Sequence, residues 1–176
     1  MSVAGNVTVR HCLRPGDLGR VVALHGVLYA REHACDHTFE GYVAETVGQF
    51  AVRFRPARDR LWLAEIEDRL VGSIAIVGKD DAAAQLRWFL LDPDVRGVGL
   101  GRRLLGDALA FCRSAAYRSV YLWTIHPLTA AARLYEAHGF RKTEAKPVAA
   151  LWGALLSEER YDLALRRTPR RSARPG

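Results

Sequence analysis

The stretch "DPDVRGVGLGRRLL", residues 92–105, places three glycines within five positions at the start of a helix-like pattern. These glycines are Gly97, Gly99 and Gly101, and arginines flank them on both sides. A glycine-rich turn that leads into a helix presents free backbone N–H groups, to which the first helical turn adds unpaired donors and the positive dipole end. Glycine also lets the backbone approach an anion closely and adopt positive φ. The stretch therefore predicts a phosphate-binding loop.

Two common phosphate-binding motifs do not match this loop. The dinucleotide motif needs a third glycine three positions after the second, where this chain has Arg102. The Walker motif needs Gly-Lys-Ser/Thr, and the stretch contains no lysine. The spacing that the chain does have is Arg-x-x-Gly-x-Gly over residues 96–101.

Hydrophobic periodicity on both sides of the loop predicts the remaining elements. Strands are predicted at residues 7–12, 61–66, 70–77, 85–91 and 119–125, from Phe140 onward, and at 159–165. Helices are predicted at residues 17–32, 38–54 and 101–116, and from Pro127 to a stop at Gly139. This order indicates an α/β (α+β) fold, in which a mixed, mainly antiparallel sheet of six to seven strands carries helices on both faces.

The composition predicts one domain over residues 1–165, followed by a basic, disordered tail. The tail, residues 166–176, contributes five arginines and no acid to the net charge of +7, which leaves +2 for the domain. Nucleic-acid binding is therefore not expected of the domain, and a contact of the arginine tail with nucleic acid is the weaker alternative. Three scattered cysteines, and no long apolar run at the N-terminus or elsewhere, predict a cytoplasmic protein without signal peptide, disulfide framework or membrane span.

The loop spacing resembles the pyrophosphate loop of the GNAT superfamily, the Gcn5-related N-acetyltransferases, which bind acetyl-coenzyme A. "LRWFLLDPDVRGVGLGRRLL", residues 86–105, is similar to the donor-binding strand, loop and helix of that family. "AARLYEAHGF", residues 131–140, resembles its second signature, and the predicted element order matches the family fold. "HGVLYAREHACDHTFE", residues 25–40, more narrowly resembles acetyltransferase domains fused behind MarR-type winged helices. No winged helix precedes the domain in this sequence, so direct DNA reading is not expected.

The resemblance implies a set of residues that contact acetyl-coenzyme A. Backbone groups near the end of the donor strand would pair with the pantetheine arm, and one N–H would act as the oxyanion donor. By this resemblance, Tyr135 takes the position of the general acid. A tyrosine suits that role because it keeps its proton at pH 7 and can donate it to the departing sulfur. The alternative is that Tyr135 only packs. Leu128 stands where many family members have an asparagine that contacts the cofactor. The implied cofactor contacts are Leu90, Leu91, Arg96, Gly97, Val98, Gly99, Leu100, Gly101, Arg102 and Tyr135.

The general base is not marked by any motif. His25 lies on the apolar stripe of the first predicted helix and is a candidate base that faces the acceptor site. The alternative is that it is a hydrogen-bonded histidine of the core. Asp36 and Glu40 lie where the family forms its acceptor cleft, and each is a candidate to bind the amine or to activate it through water. The alternative is that each caps the second predicted helix or faces solvent. "HACDH", residues 33–37, has no second ligand pair, so no metal site is predicted.

These observations predict an N-acetyltransferase that moves an acetyl group from acetyl-coenzyme A to a primary amine by direct attack on the thioester. The acceptor is an amine on a small molecule, an amino acid or a protein, and a homodimer is allowed. The alternative is a non-catalytic acyl-coenzyme A sensor or interaction module.

Overall fold

The computed structural model describes residues 7–126 and 128–165, and its elements alternate as the sequence predicts. Pro127 and the tail at 166–176 lie outside the described residues. The helices are α1 (Asp17–His33), α2 (His37–Val52), α3 (Leu100–Ser114) and α4 (Thr129–Ala137), with a short 3-10 helix at Pro93–Val95. The strands are β1 (Thr8–Arg10), β2 (Arg60–Ile66), β3 (Arg69–Gly78), β4 (Ala83–Leu91), β5 (Ser119–His126), β6 (Arg141–Ala145), β7 (Ala149–Leu151) and β8 (Ala154–Ala164).

The strands form one mixed sheet in the order β1-β2-β3-β4-β5-β8-β6, and β7 pairs with β8. All neighbours are antiparallel except β4 and β5, which are parallel. The mixed, mainly antiparallel sheet is therefore confirmed. Its eight strands exceed the predicted six to seven because β7, only three residues long, pairs with the first residues of β8 in a stretch without clear alternation.

Helices cover both faces of the sheet, as predicted, and each face has its own apolar core. On one face, α3 and α4 bury residues such as Leu104, Leu105 and Tyr135. On the other face, α1 and α2 bury Val21 and Val43, among others. Within the two described ranges, no helix has the length and apolar character that a bilayer crossing requires.

A buried ion cluster fixes the start of α1 against β1 and β2. The Asp17 carboxylate accepts hydrogen bonds from Arg10 Nη1 at 2.7 Å and Nη2 at 2.6 Å, and from the backbone N–H of Arg14 at 2.6 Å. Glu65 on β2 accepts from Arg10 Nε at 2.7 Å and from Arg20 at 2.7 Å. The Arg10 guanidinium is the main reason that the pKa of Asp17 falls to about 2.

Strand β4 contains a bulge at Trp88 and separates from β5 after Gln85. Ser73 pairs with Leu90 and Ala75 with Arg87, so β4 has one residue more than β3 between these pairs. Trp88 takes a φ of 45°, and its carbonyl accepts a hydrogen bond from Ser73 Oγ at 2.7 Å. Strand β5 pairs with β4 only over 83–85, so the two strands diverge beyond that point.

Candidate active site

A cavity of about 900 Å³ lies where β4 and β5 diverge. Residues from both apolar cores line it: Leu134 and Tyr135 of α4 on one face, and Tyr29 of α1 and Val43 of α2 on the other. The cavity therefore passes through the split in the sheet, and both faces contribute side chains to it.

The predicted glycine loop forms one end of the cavity and meets the requirements of an anion site. Gly97 and Gly99 have φ values of 79° and 88°, and a Cβ at either position would meet no atom within 4 Å. Gly99 precedes Leu100 at the start of α3 and provides no side-chain cap, and the first turn contains no acidic residue. The backbone N–H groups of that turn therefore stay available to a phosphate.

Gly101 has a different function from the two glycines before it. A Cβ there would lie 3.3 Å from Leu91 Cδ1 and 3.4 Å from Leu134 Cδ2. The absence of a side chain thus lets α3 approach both β4 and α4 closely. The loop uses two glycines for backbone conformation and one for packing.

The three arginines of the loop differ in their partners. Arg96 donates to the Leu91 carbonyl at 2.9 Å and to Glu32 on α1 at 3.0 Å, so it ties the loop to β4 and α1. Arg102 lines the cavity and forms no ion pair with the residues that the structure describes. Arg103 is exposed and lies outside the cavity wall. Both Arg96 and Arg102 line the cavity, and Arg102 is the one of the two whose charge is not paired with a described carboxylate.

Most of the predicted cofactor contacts line this one cavity. They are Leu90, Leu91, Arg96, Gly97, Gly99, Gly101, Arg102 and Tyr135. The side chain of Val98 instead lies exposed at the loop tip, and that of Leu100 is buried in the core under α3. Beyond Gln85, the edge of β4 that faces β5 has no strand partner among the described residues, so its peptide groups can pair with an extended ligand.

Tyr135 lies in the cavity wall with a hydroxyl that has no hydrogen-bond partner among the described residues. Its ring packs against Phe89, Phe140 and Tyr161 at centroid distances of 6.1, 5.9 and 5.8 Å. Burial raises the pKa of the Tyr135 phenol, with further contributions from the neighbouring Tyr29 and Tyr161 phenols. The hydroxyl is therefore protonated at neutral pH and can act as a donor within the cavity.

His25 also lines the cavity, in a neutral form. Its Nδ1 lies 2.8 Å from the Val21 carbonyl, which makes Nδ1 the protonated nitrogen and leaves Nε2 as a hydrogen-bond acceptor. Burial lowers the pKa of the imidazole to about 4. His25 is thus a hydrogen-bond acceptor with little tendency to take up a proton at neutral pH.

Asp36 and Glu40 lie outside the cavity wall. Asp36 caps α2, because its carboxylate accepts from the Thr38 backbone N–H at 2.9 Å and from the Thr38 hydroxyl. Glu40 packs against α1, where a Cβ at Gly26 would lie 2.8 Å from Glu40 Oε2. In the parts of the chain with described coordinates, no three His, Cys, Asp or Glu side chains cluster as metal ligands would.

Four aromatic side chains line the α1/α2 side of the cavity, and we call them the aromatic wall: Tyr29, Phe39, Tyr42 and Trp152. No pattern in the sequence predicted that these four residues lie together. Tyr29 stacks on Phe39 with ring centroids 4.1 Å apart, and Trp152 contacts Phe39 at 5.1 Å and Tyr42 at 5.3 Å. These residues come from α1, α2 and the turn between β7 and β8, so only the tertiary fold unites them.

Charged residues complete this side of the cavity. Arg87 on β4 donates a hydrogen bond from Nη2 to the Tyr42 hydroxyl at 2.8 Å. Glu158 on β8 pairs with Lys146 at 2.8 Å, and the Lys146 ammonium lies 4.2 Å from the ring centroid of Trp123 on β5. Arg87, Trp123 and Glu158 all line the cavity.

The chain is similar to known acetyltransferases in both sequence and fold. The model of the family described as "Acetyltransferase (GNAT) family" matches residues 24–140. Human N-acetyltransferase 8B is 33% identical over 87 residues, which are 47% of this chain and span 38% of that protein.

Solved acetyltransferases share the fold at low sequence identity. An acetyltransferase from Streptococcus agalactiae superposes with a TM-score of 0.74 at 24% identity, covering 90% of this chain and 98% of that one. A GNAT family acetyltransferase from Elizabethkingia anophelis, solved with acetyl-CoA bound, superposes with a TM-score of 0.62 at 17% identity, covering 91% and 99%.

Proposed function

Because this chain belongs to the GNAT acetyltransferase family, we propose that it transfers an acetyl group from acetyl-coenzyme A to a primary amine. One observation carries the proposal: two groups open onto the same cavity, in the split between β4 and β5. They are the uncapped glycine turn at the start of α3 and the Tyr135 hydroxyl, which has no partner among the described residues. An anion site and a proton donor then face one elongated ligand.

The described residues fit coenzyme A in three places. The backbone N–H groups after Gly97 and Gly99 would hold the pyrophosphate, and Arg102 would add a positive charge. The open edge of β4 near Leu90 and Leu91 would pair with the amides of the pantetheine arm. Acetyl-coenzyme A supplies, when bound, an activated acetyl thioester.

The chain itself supplies a polarising group and a proton. A backbone N–H of β4, after the bulge at Trp88, would donate to the thioester carbonyl as negative charge develops on it. Tyr135 holds a proton at neutral pH and would act as the general acid by donating a hydrogen bond from its hydroxyl to the departing sulfur. Because the ordinary thiol pKa of about 8.5 lies well below that of the phenol, the sulfur would leave as a thiolate stabilised by this hydrogen bond and then take a proton from solvent.

Removal of the amine proton is assigned to water next to Glu158. His25 is a poor base because burial lowers its pKa to about 4, and Asp36 and Glu40 lie outside the cavity wall. Glu158 lines the cavity opposite Ile125 of β5, and its carboxylate, although paired with Lys146, can still accept a hydrogen bond from this water. Direct attack of the freed amine on the thioester follows.

A cytoplasmic location belongs to the same proposal. Cys12, Cys35 and Cys112 are free thiols, which supports a reducing compartment. The narrower resemblance to acetyltransferase domains fused to MarR-type winged helices stays a prediction.

The experiment has two stages. Acetyl-coenzyme A at 100 times its Kd should stabilise the protein by about 3 kcal/mol in thermal unfolding, and no stabilisation at saturating ligand would refute the proposal. Thiol release is then followed with a panel of primary amines. Stabilisation without release for any amine would instead identify a non-catalytic acyl-coenzyme A sensor.

A further inference from the structure

We infer that the acceptor is a free amino acid with a large apolar or aromatic side chain, whose carboxylate binds Arg87. The inference rests on the proposed function and names the substrate class of that same site. Three features of the cavity support it: the partners of Arg87, the aromatic wall and the balance of charges.

Arg87 has a guanidinium that is held in place but not neutralised. Its Cζ lies 5.1 Å from the ring centroid of Trp88 and 5.8 Å from that of Tyr42, and one N–H donates to the Tyr42 hydroxyl. It forms no ion pair with any residue described in the structure, whereas Arg96 pairs with Glu32 and Arg160 with Asp162. A guanidinium has five N–H donors, so most of them remain for a carboxylate, which it can bind in bidentate geometry.

The aromatic wall lies on the same side of the cavity as Arg87, and Tyr42 belongs to both features. Trp123 lies on β5, beyond the point where that strand leaves β4. Aromatic rings provide large apolar contact area with directional edges. An apolar or aromatic side chain would therefore contact these rings while the carboxylate of the same molecule binds Arg87.

The charges of the cavity exclude acceptors with several amines. Among the described residues, two carboxylates line it, and each has a cation: Glu32 pairs with Arg96 at 3.0 Å and Glu158 with Lys146 at 2.8 Å. In contrast, Arg87 lines the described cavity wall without an ion pair, whereas the pyrophosphate of the donor would neutralise Arg102. A polyamine would bring further positive charge to a wall that already has an excess, whereas an amino acid brings the carboxylate that Arg87 lacks.

The test compares phenylalanine with two analogues that lack its carboxylate and with a diamine. Thiol release is measured at saturating acetyl-coenzyme A with phenylalanine, phenylalanine amide, phenethylamine and putrescine. Loss of a charge-assisted hydrogen bond typically corresponds to a change of about 10- to 100-fold. We expect kcat/KM for phenylalanine to exceed that for the amide and for phenethylamine by about this factor, and putrescine to be the poorest acceptor.

Variants assign the preference to Arg87. Arg87→Gln should raise KM for phenylalanine by about 10- to 100-fold more than KM for phenethylamine, whereas Arg87→Lys should restore part of the preference. Arg118→Gln, at an exposed site before β5, is the matched control and should behave as the wild type. Thermal unfolding with acetyl-coenzyme A verifies that each variant is folded and binds the donor.

Several results would overturn the inference. Equal use of phenylalanine and phenethylamine by the wild type would do so, as would an equal loss for all acceptors in Arg87→Gln, or preference for putrescine. Transfer to the other amines but not to phenylalanine would reject the inference alone. No transfer to any amine, or no stabilisation by acetyl-coenzyme A, would instead reject the proposed function itself.

Discussion

Replacement of His25 by glutamine tests whether the histidine in the cavity wall is neutral, as its surroundings indicate. Burial lowers its pKa from 6.5 to about 4 in the folded protein. Between these two values the unfolded chain binds a proton that the folded chain does not bind. Folding stability therefore falls as the pH is lowered from 6.5 to 4, and the contribution of His25 is fully present only above pH 6.5.

The size of the effect follows from the same pKa values. The full difference corresponds to about 3 kcal/mol below pH 4, and about 2 kcal/mol of it is lost between about pH 7.5 and about pH 5.0. Glutamine does not titrate, so the His25→Gln variant should lose about 2 kcal/mol less than the wild type over this interval. His33, whose pKa burial also lowers, contributes equally to both proteins and cancels.

The assay is urea unfolding of the ligand-free protein at the two pH values, with the change compared within each protein. His11→Gln, at an exposed histidine outside the cavity wall, is the matched control and should lose as much stability as the wild type. If the stability of His25→Gln also falls as much as that of the wild type, the His25 imidazole takes up a proton in the folded protein as readily as in the unfolded chain. His25 would then return as a candidate for the general base.

Three further predictions concern the donor site and the ion cluster. Tyr135→Phe should lower kcat at least about 100-fold with little change in KM for acetyl-coenzyme A, measured by thiol release; full activity across the pH range would exclude the general acid. Gly99→Ala should weaken stabilisation by acetyl-coenzyme A in thermal unfolding, because alanine is strained at a φ of 88°. Gly106→Ala, inside α3 with open space around it, should instead stabilise by about 0.5–1 kcal/mol and bind normally, and equal effects of the two changes would contradict this. Asp17→Asn should lower the free energy of unfolding by about 2 kcal/mol at pH 7 in urea unfolding. The difference from the wild type should shrink as the pH falls from 3.8 to 2, because the Arg10 guanidinium stabilises only the ionised carboxylate. A difference that stays constant with pH would show that the ion pair with Arg10 is not its source.

The sequence was sufficient for most of the fold because amphipathic periodicity marks its elements. The helix predicted at residues 17–32 is Asp17–His33, and the one predicted at 101–116 is Leu100–Ser114. The parallel pairing of β4 and β5 also follows from the predicted strand–helix–strand order. Gly139, predicted to end α4, follows it with a φ of 89°.

The features that shape the α1/α2 side of the cavity could not be predicted from periodicity. A bulge at Trp88 interrupts the alternation, so Leu86 belongs to the α3/α4 core and Trp88 to the α1/α2 core although both are even-numbered. Strict alternation would place them on the same face. The position of Trp152 depends on the β7–β8 hairpin, whose sequence has no clear strand pattern.

The same bulge links the fold to the chemistry. It turns the side chain of Trp88 toward Phe50 of α2, with ring centroids 5.3 Å apart, and the Trp88 indole N–H is buried without a hydrogen-bond partner among the described residues. An unsatisfied buried donor costs about 1–3 kcal/mol, so the bulge is retained against an opposing energetic term. Without it, the register with β3 would be continuous, and the residues after Arg87 would exchange faces. The apolar side chains of Phe89 and Leu91 would then leave the α3/α4 core, and the open edge of β4 would present different peptide groups to the cavity. The bulge therefore lets Leu91 pack against Gly101 on the α3/α4 side although Arg87, also odd-numbered, faces Tyr42 on the α1/α2 side, within one short segment of a single strand.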